Sequence, residues 1–214
     1  MRCRPAPPAL LPLLLSLFVW LMPASGAEAQ SRLGVIGDIL PPAGTEGTWT
    51  YRNDGDVFAM ANAEIPDDIR YFYANLTDNA GAAFGPWRIT ADVTILSSEG
   101  ELGSGGLVYG LNPETGQYYL ALLDGRGGLS VLRRTGSGFD RLVDVELPVW
   151  FSGPNRLEVS AAGMEYTLHV NGDNILGHDI GTIPEGTAAP QSGGFGVAGV
   201  GLVEVSFTNV FLVN

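Results

Sequence analysis

The chain has 214 residues, 23 acidic side chains against 11 arginines, no lysine and a net charge of −12. That balance excludes nucleic acid and anionic membrane surfaces as main partners, because both are bound chiefly through positive charge. It leaves neutral or weakly charged ligands and cations, and it suits solubility outside the cell.

Residues 1–29 read as a signal peptide. Arg2 and Arg4 give a basic start, Ala9 to Met22 is an apolar run broken only by Pro12 and Ser16, and Ala27-Glu28-Ala29 fits a small-x-small cleavage site. The run is shorter than the roughly 20 apolar residues of a comfortable membrane span, and no basic cluster follows it. Cleavage before Gln30 and export to the periplasm or the medium are expected, with no membrane insertion afterwards. Cys3 is the only cysteine and lies in this leader, away from the end of the apolar run. It is not read as a lipid attachment site, and the mature chain has no disulfide to hold it together. Residues 30–43 form a lead-in, and 44–214 are long enough for one good-sized domain with its own core.

Asn53-Asp54-Gly55-Asp56 has the oxygen density of a calcium loop, with Asp67-Asp68 as further candidates. Asp54 and Asp56 are the candidate ligands. The same composition also makes ordinary turns. No other cofactor is expected.

From here period-2 alternation recurs, and no segment carries a capped helical stripe. Ile89, Ala91, Val93 and Ile95 share one face, with Thr90, Asp92 and Thr94 opposite. Leu107, Tyr109 and Leu111 form the next such face. Asn112-Pro113-Glu114-Thr115-Gly116 reads as a hairpin loop. In Gln117–Leu123, Tyr118, Leu120 and Leu122 share one side, and Tyr119, Ala121 and Leu123 the other. A strand apolar on both sides is central and covered on both. Asp124–Gly128 and Gly136–Gly138 are turns. Asp144-Val145-Glu146 reads as an exposed edge strand. Leu157, Val159 and Ala161 alternate with Arg156, Glu158 and Ser160, and Tyr166, Leu168 and Val170 with Glu165, Thr167 and His169. Asn171-Gly172 suits the positive φ angles of a tight hairpin. Thr182 to Gly194 reads as a loop. Val203, Val205 and Phe207 alternate with Glu204, Ser206 and Thr208. About a dozen strands result, and the expected fold is all-β, with two antiparallel sheets packed face to face.

The order of these segments resembles a known superfamily. Gly105-Gly-Leu-Val-Tyr109 with Gln117-Tyr-Tyr-Leu-Ala-Leu122, Asn155-Arg-Leu-Glu-Val159, His169-Val-Asn-Gly172, and Gly194-Phe-Gly-Val197 followed by Val205-Ser-Phe-Thr-Asn-Val-Phe211 resemble the concanavalin A-like, laminin-G-like jelly rolls. The nearest flavour is that of bacterial exported domains of the 3-keto-disaccharide hydrolase type. The resemblance spans roughly Gly44 to Val213. It departs from the pattern before Asn155, where the expected tryptophan is shifted to Trp150. It implies a jelly-roll sandwich with a concave sheet, on which relatives bind glycans, sometimes with calcium, or hydrolyse polysaccharides. Fold alone does not choose among these.

The residues themselves favour binding over turnover, without deciding it. Glycoside hydrolysis needs two carboxyl groups about 5–10 Å apart. The near pairs are Asp54/Asp56, Glu99/Glu101 and Asp144/Glu146, and all three read as turns or exposed edge. No Gly-x-Ser-x-Gly occurs, the mature chain has no thiol, and His169 and His178 are the only histidines. Catalytic residues are therefore unassigned. For a sugar, aromatic rings stack on apolar pyranose faces while planar polar groups take hydroxyls. Trp87, Tyr109 and Tyr119 are the candidate platforms, with Asp92, Arg156, Glu158 and His169 as polar partners. The expected function is an exported glycan-binding domain. The alternatives are a glycoside hydrolase and a structural or adhesive envelope module.

Overall fold

The computed structural model describes residues 40–76, 87–147, 153–162, 165–175 and 193–213. Residues 1–29, read above as a signal peptide, most of the lead-in, Trp150, His178 and residues 182–192 lie outside them. Twelve strands follow in order: β1 (Ala43–Glu46), β2 (Trp49–Asn53), β3 (Phe58–Asn62), β4 (Ile69–Leu76), β5 (Trp87–Asn112), β6 (Gln117–Asp124), β7 (Gly128–Thr135), β8 (Gly138–Glu146), β9 (Asn155–Ala162), β10 (Glu165–Val170), β11 (Asp173–Asn174) and β12 (Gly193–Val213). No helix occurs among the described residues, and every pairing is antiparallel.

β5 and β12 organise the molecule. Each runs through both layers, and they pair with each other from Gly194↔Leu111 to Val213↔Arg88. The first half of β5 and the second half of β12 form the middle of layer 1, whose order is β11-β10-β9-β5-β12-β3-β2-β1. The remaining halves form the middle of layer 2, in the order β4-β12-β5-β6-β7-β8. The register between the two strands shifts between Val200 and Leu202, where they pass from one layer to the other. Gly201 sits there at φ +70, and a Cβ would press on Pro66 O and on the Leu102 backbone. A side chain at that bend would be strained on both counts.

The layers enclose one core. Layer 1 contributes Phe58, Ile89, Val93, Leu157, Val159, Val205 and Phe207, and layer 2 contributes Leu107, Ala121, Leu123, Val131, Phe195 and Val197. The alternation read in β9, β10 and β12 is borne out: Leu157, Val159, Leu168, Val170, Val203, Val205 and Phe207 are all buried. Asn171 (φ 54) and Gly172 (φ 92) make the tight β10–β11 turn as expected. The motif asparagines prove structural. Asn171 Oδ1 accepts from Arg156 N at 2.9 Å, and Asn171 Nδ2 donates to Asn155 Oδ1 at 3.0 Å, tying the turn to the start of β9.

Two expectations need correction. The segments around Ile95 and Leu107 are one bent strand, β5, rather than two, because β12 bends beside it and continues the ladder. Gly193 and Gly194 belong to β12, where Gly194 pairs with Leu111, and not to a loop.

Candidate functional site

The two layers differ on their outer faces. On layer 1 the outer face is polar. Register places Asp92 beside Arg156, Thr90 beside Glu158, and Glu158 beside His169. The polar candidates Asp92, Arg156, Glu158 and His169 are thus brought together on one face. Their neighbours already engage some of them. Asn209, in a left-handed conformation at φ 51, donates to Asp92 Oδ2 at 2.6 Å. Arg156 Nη1 lies 3.5 Å from Asp92 Oδ1, and Ser160 and Thr167 share a hydroxyl–hydroxyl bond of 2.6 Å. Thr90, read as facing water, is only 3% exposed, and its Oγ1 has no hydrogen-bond partner. Glu158 and Phe211 flank it across the sheet. On the far side of β12, a depression of about 200 Å³ lies over Ala59 and Ala61, with Arg52 on one wall and Glu204 on the other. The Tyr51 ring at its margin packs against Phe58 and Phe72.

The aromatic candidates lie elsewhere. Trp87 (3% exposed) and Tyr109 (0%) are core residues. Trp87 packs edge-on against Phe195 and beside Tyr109. Neither ring is available as a sugar platform, because β5 turns both into the space between the layers. Tyr119 is half-buried and stacks on Tyr109 at 5.4 Å, on the inner side of β6. Burial first, and Tyr119 second, hold the Tyr109 phenol well above the ordinary tyrosine range.

The outer face of layer 2 carries what the sequence reading missed. A second apolar cluster lies there: Val108, Leu111, Tyr118, Leu120, Leu122, Ala198 and Val200, with Ile69, Tyr71, Tyr73 and Leu132 against it. Register explains the grouping. Tyr73, Gly196, Val108, Leu120, Leu132 and Arg141 form one cross-strand row; Tyr71, Ala198, Gly106, Leu122, Ser130 and Asp144 form the next. Small residues under β12 give the tyrosines of edge strand β4 room to lie inward, and a Cβ on Gly194 would enter the Tyr73 ring. The rings form a chain across the face. Tyr71 lies 6.0 Å from Tyr73 and 5.1 Å from Tyr118, and Tyr118 lies 6.0 Å from Phe139. Tyr118 is 7% exposed and Phe139 37%. Burial, then Tyr71, raise the Tyr118 phenol above its ordinary value, with Arg134 opposing. At neutral pH that hydroxyl is therefore protonated.

Beside the rings, a groove of about 220 Å³ runs over Leu122, Leu132 and Val200. Its polar lining is Ser104, Asp124, Arg126, Ser130, Arg141 and Asp144. It opens at β8 into a wider hollow of about 450 Å³ bounded by Asp124, Asp144 and Glu146. Arg141 Nη1 is held by Asp144 Oδ2 at 2.6 Å, and Asp124 Oδ1 accepts from the Arg126 and Gly128 amides at 2.7 Å each. Aromatic surface next to fixed planar polar groups is the arrangement that recognises a pyranose. The only legible signal for it was the alternation of Tyr71 and Tyr73 with a run of small residues in Gly194–Ala198.

Among the described residues no group of three or more His, Cys, Asp or Glu side chains is placed to hold a metal. Asn53 Oδ1 accepts from Gly55 N at 3.0 Å, so Asn53–Asp56 forms a turn, and Asp54 faces Arg52 at 3.7 Å. Asp68 is engaged by Trp49 Nε1 (2.9 Å), Thr48 Oγ1 (3.1 Å) and Ile69 N (2.9 Å).

The chain matches no family model, and no curated protein matches it in sequence. In shape it is similar to the carbohydrate-binding module CBM66 from Bacillus subtilis, at 14% identity and a TM-score of 0.51, over 82% of this chain and 93% of that one. It is also similar to a Bacillus subtilis protein of unknown function with a galectin-like fold (12% identity, TM-score 0.53, 85% and 93% covered). A third likeness is to the cellulose induced protein Cip1 (12%, 0.50, 81% and 88%). At these identities the likeness establishes the fold, a two-layer antiparallel jelly roll of the galectin-like kind.

Proposed function

We propose that this is an exported carbohydrate-binding domain that holds a glycan against the outer face of layer 2. One observation carries the reading: the ring chain Tyr73–Tyr71–Tyr118–Phe139 lies beside a groove lined by Ser130, Asp124 and the Arg141–Asp144 pair. A sugar ring stacks on the accessible aromatic surface, and the next residue of the chain places its hydroxyls on the groove's fixed polar groups. The similarity in shape to a carbohydrate-binding module supports the reading without identifying the ligand. Export rests on the leader, and kinship to 3-keto-disaccharide hydrolase-type domains on the strand and turn motifs. The test is a glycan panel probed with the mature domain, with and without calcium at Asp54 and Asp56. Binding weakened about tenfold by Tyr71→Ala supports the proposal. Binding abolished instead by Glu158→Gln or His169→Ala moves the site to the polar row of layer 1.

A second reading, hydrolysis, is favoured by one feature. Asp144 and Glu146 lie two apart on edge strand β8, on the side of the groove, with Asp124 across the hollow. Same-face residues on a strand stand roughly 6.5–7 Å apart, within the range of a carboxyl pair acting on a glycosidic bond. Release of reducing ends that is lost in both Asp144→Asn and Glu146→Gln supports it. Binding without release in the unsubstituted domain refutes it.

A further inference from the structure

The chain as a whole repels anions, yet the aromatic row of layer 2 ends on a cation. Arg134 faces Tyr118 on one side and Phe139 on the other in the cross-strand register. Its guanidinium lies over the Phe139 ring, 4.9 Å from the centroid. Most other described arginines have an acidic partner: Arg52 with Asp54, Arg70 with Glu46, Arg133 with Asp140, Arg141 with Asp144, Arg156 with Asp92. Arg134 has none among the described residues, although it is half-buried in a protein with 23 acidic side chains. A guanidinium over an arene is held through its cationic face, which leaves its N–H donors available to a ligand beside the ring. A planar carboxylate meets those donors with two parallel hydrogen bonds.

Building on the glycan reading above, we infer that the ligand carries a carboxylate: a uronic-acid-containing oligosaccharide, with one carboxyl group on Arg134 and its pyranose against Phe139 and the neighbouring tyrosines. Asp144 and Asp140, the nearest acids on β8, do not compete for Arg134, because Arg141 and Arg133 hold them at 2.6 Å each. The global negative charge keeps non-specific polyanions away, and the single uncommitted guanidinium on the platform selects for one carboxylate at a defined place.

The test uses the mature domain with short oligomers of galacturonate, glucuronate and mannuronate, each beside its methyl ester, and with neutral oligosaccharides. At low salt at least one acid form binds about tenfold or more tighter than its ester. Arg134→Gln brings acid and ester within about twofold of each other. Arg134→Lys, which keeps the charge and loses the fork, gives an intermediate ratio. Arg88→Gln, at an exposed arginine on layer 1, changes neither. A thermal melt of each variant separates loss of fold from loss of contact. If neutral glycans bind and every acid equals its ester, or if Arg134→Gln weakens both forms alike, the carboxylate assignment is overturned while the glycan reading stands. If no glycan binds at all, both fall.

Discussion

The two outer faces of one sandwich have been put to opposite uses. On layer 1 the polar residues bond to one another: Asn209 to Asp92, Arg156 to Asp92, Ser160 to Thr167. On layer 2 the outer face is half core. Leu120, Leu122 and Val108 are buried there as completely as residues between the layers, under tyrosines leaning in from edge strand β4. The proposed glycan site rests on this contrast, a face that buries apolar surface beneath part-buried rings. On layer 1 most of the polar contacts seen are made within the face itself, with Thr90 Oγ1 the exception.

The contrast can be broken in several ways. The largest effect is expected from Leu120→Ala, which should cost about 2–5 kcal/mol in chemical denaturation, as a core leucine would. Thr94→Ala on the outer face of layer 1 should stay within about 0.5 kcal/mol. Equal costs would mean that the layer 2 face is not packed as described. Next comes Asn209→Ala, which removes a bond to a carboxylate and forces alanine into a left-handed φ. A loss of about 2–3 kcal/mol with glycan affinity unchanged would establish layer 1's polar row as structural. Third, Tyr71→Ala should weaken glycan binding about tenfold, whereas Glu158→Gln and His169→Ala should each change it less than about twofold. The smallest effect at neutral pH belongs to Tyr109→Phe. Burial raises the Tyr109 phenol above its ordinary 10.0, so the folded state holds its proton more tightly than the unfolded chain. That contribution is complete below about pH 10 and is lost as pH rises from there through the folded value. Urea midpoints between pH 9 and 12 should fall in the parent, and less steeply in Tyr109→Phe. A parallel fall in both would place the alkaline sensitivity elsewhere, with Tyr118 as the next group to replace.

Much of the frame was legible because a half-buried strand writes itself with period 2. The faces of β9 and of β12 after Val203, the apolar two-sidedness of β6, the exposed edge at Asp144–Glu146 and the Asn171-Gly172 turn all followed from local pattern. The bend through Gly100 and Gly201 was not legible, since glycines between two alternating runs look like a turn unless the partner strand is known to bend with them. The site was harder. Trp87 and Tyr109 have the right chemistry for a platform, but which side of β5 faces the core is fixed by β12, about a hundred residues later in the chain. Tyr71 and Tyr73 gave little sign, because β4 is aromatic on both sides: Phe72 points into the core while its neighbours point out. Only the pairing of β4 with Gly194–Ala198 makes those two tyrosines part of a surface with Tyr118.

The most direct test is a glycan titration followed by backbone amide NMR on the mature domain. The account expects saturable shifts along β4, β6, β7 and β8 at Tyr71, Tyr118, Ser130, Arg134 and Asp144, with Asp92, Arg156, Glu158 and His169 unmoved. Shifts confined to the latter four, with the tyrosine row silent, would contradict it.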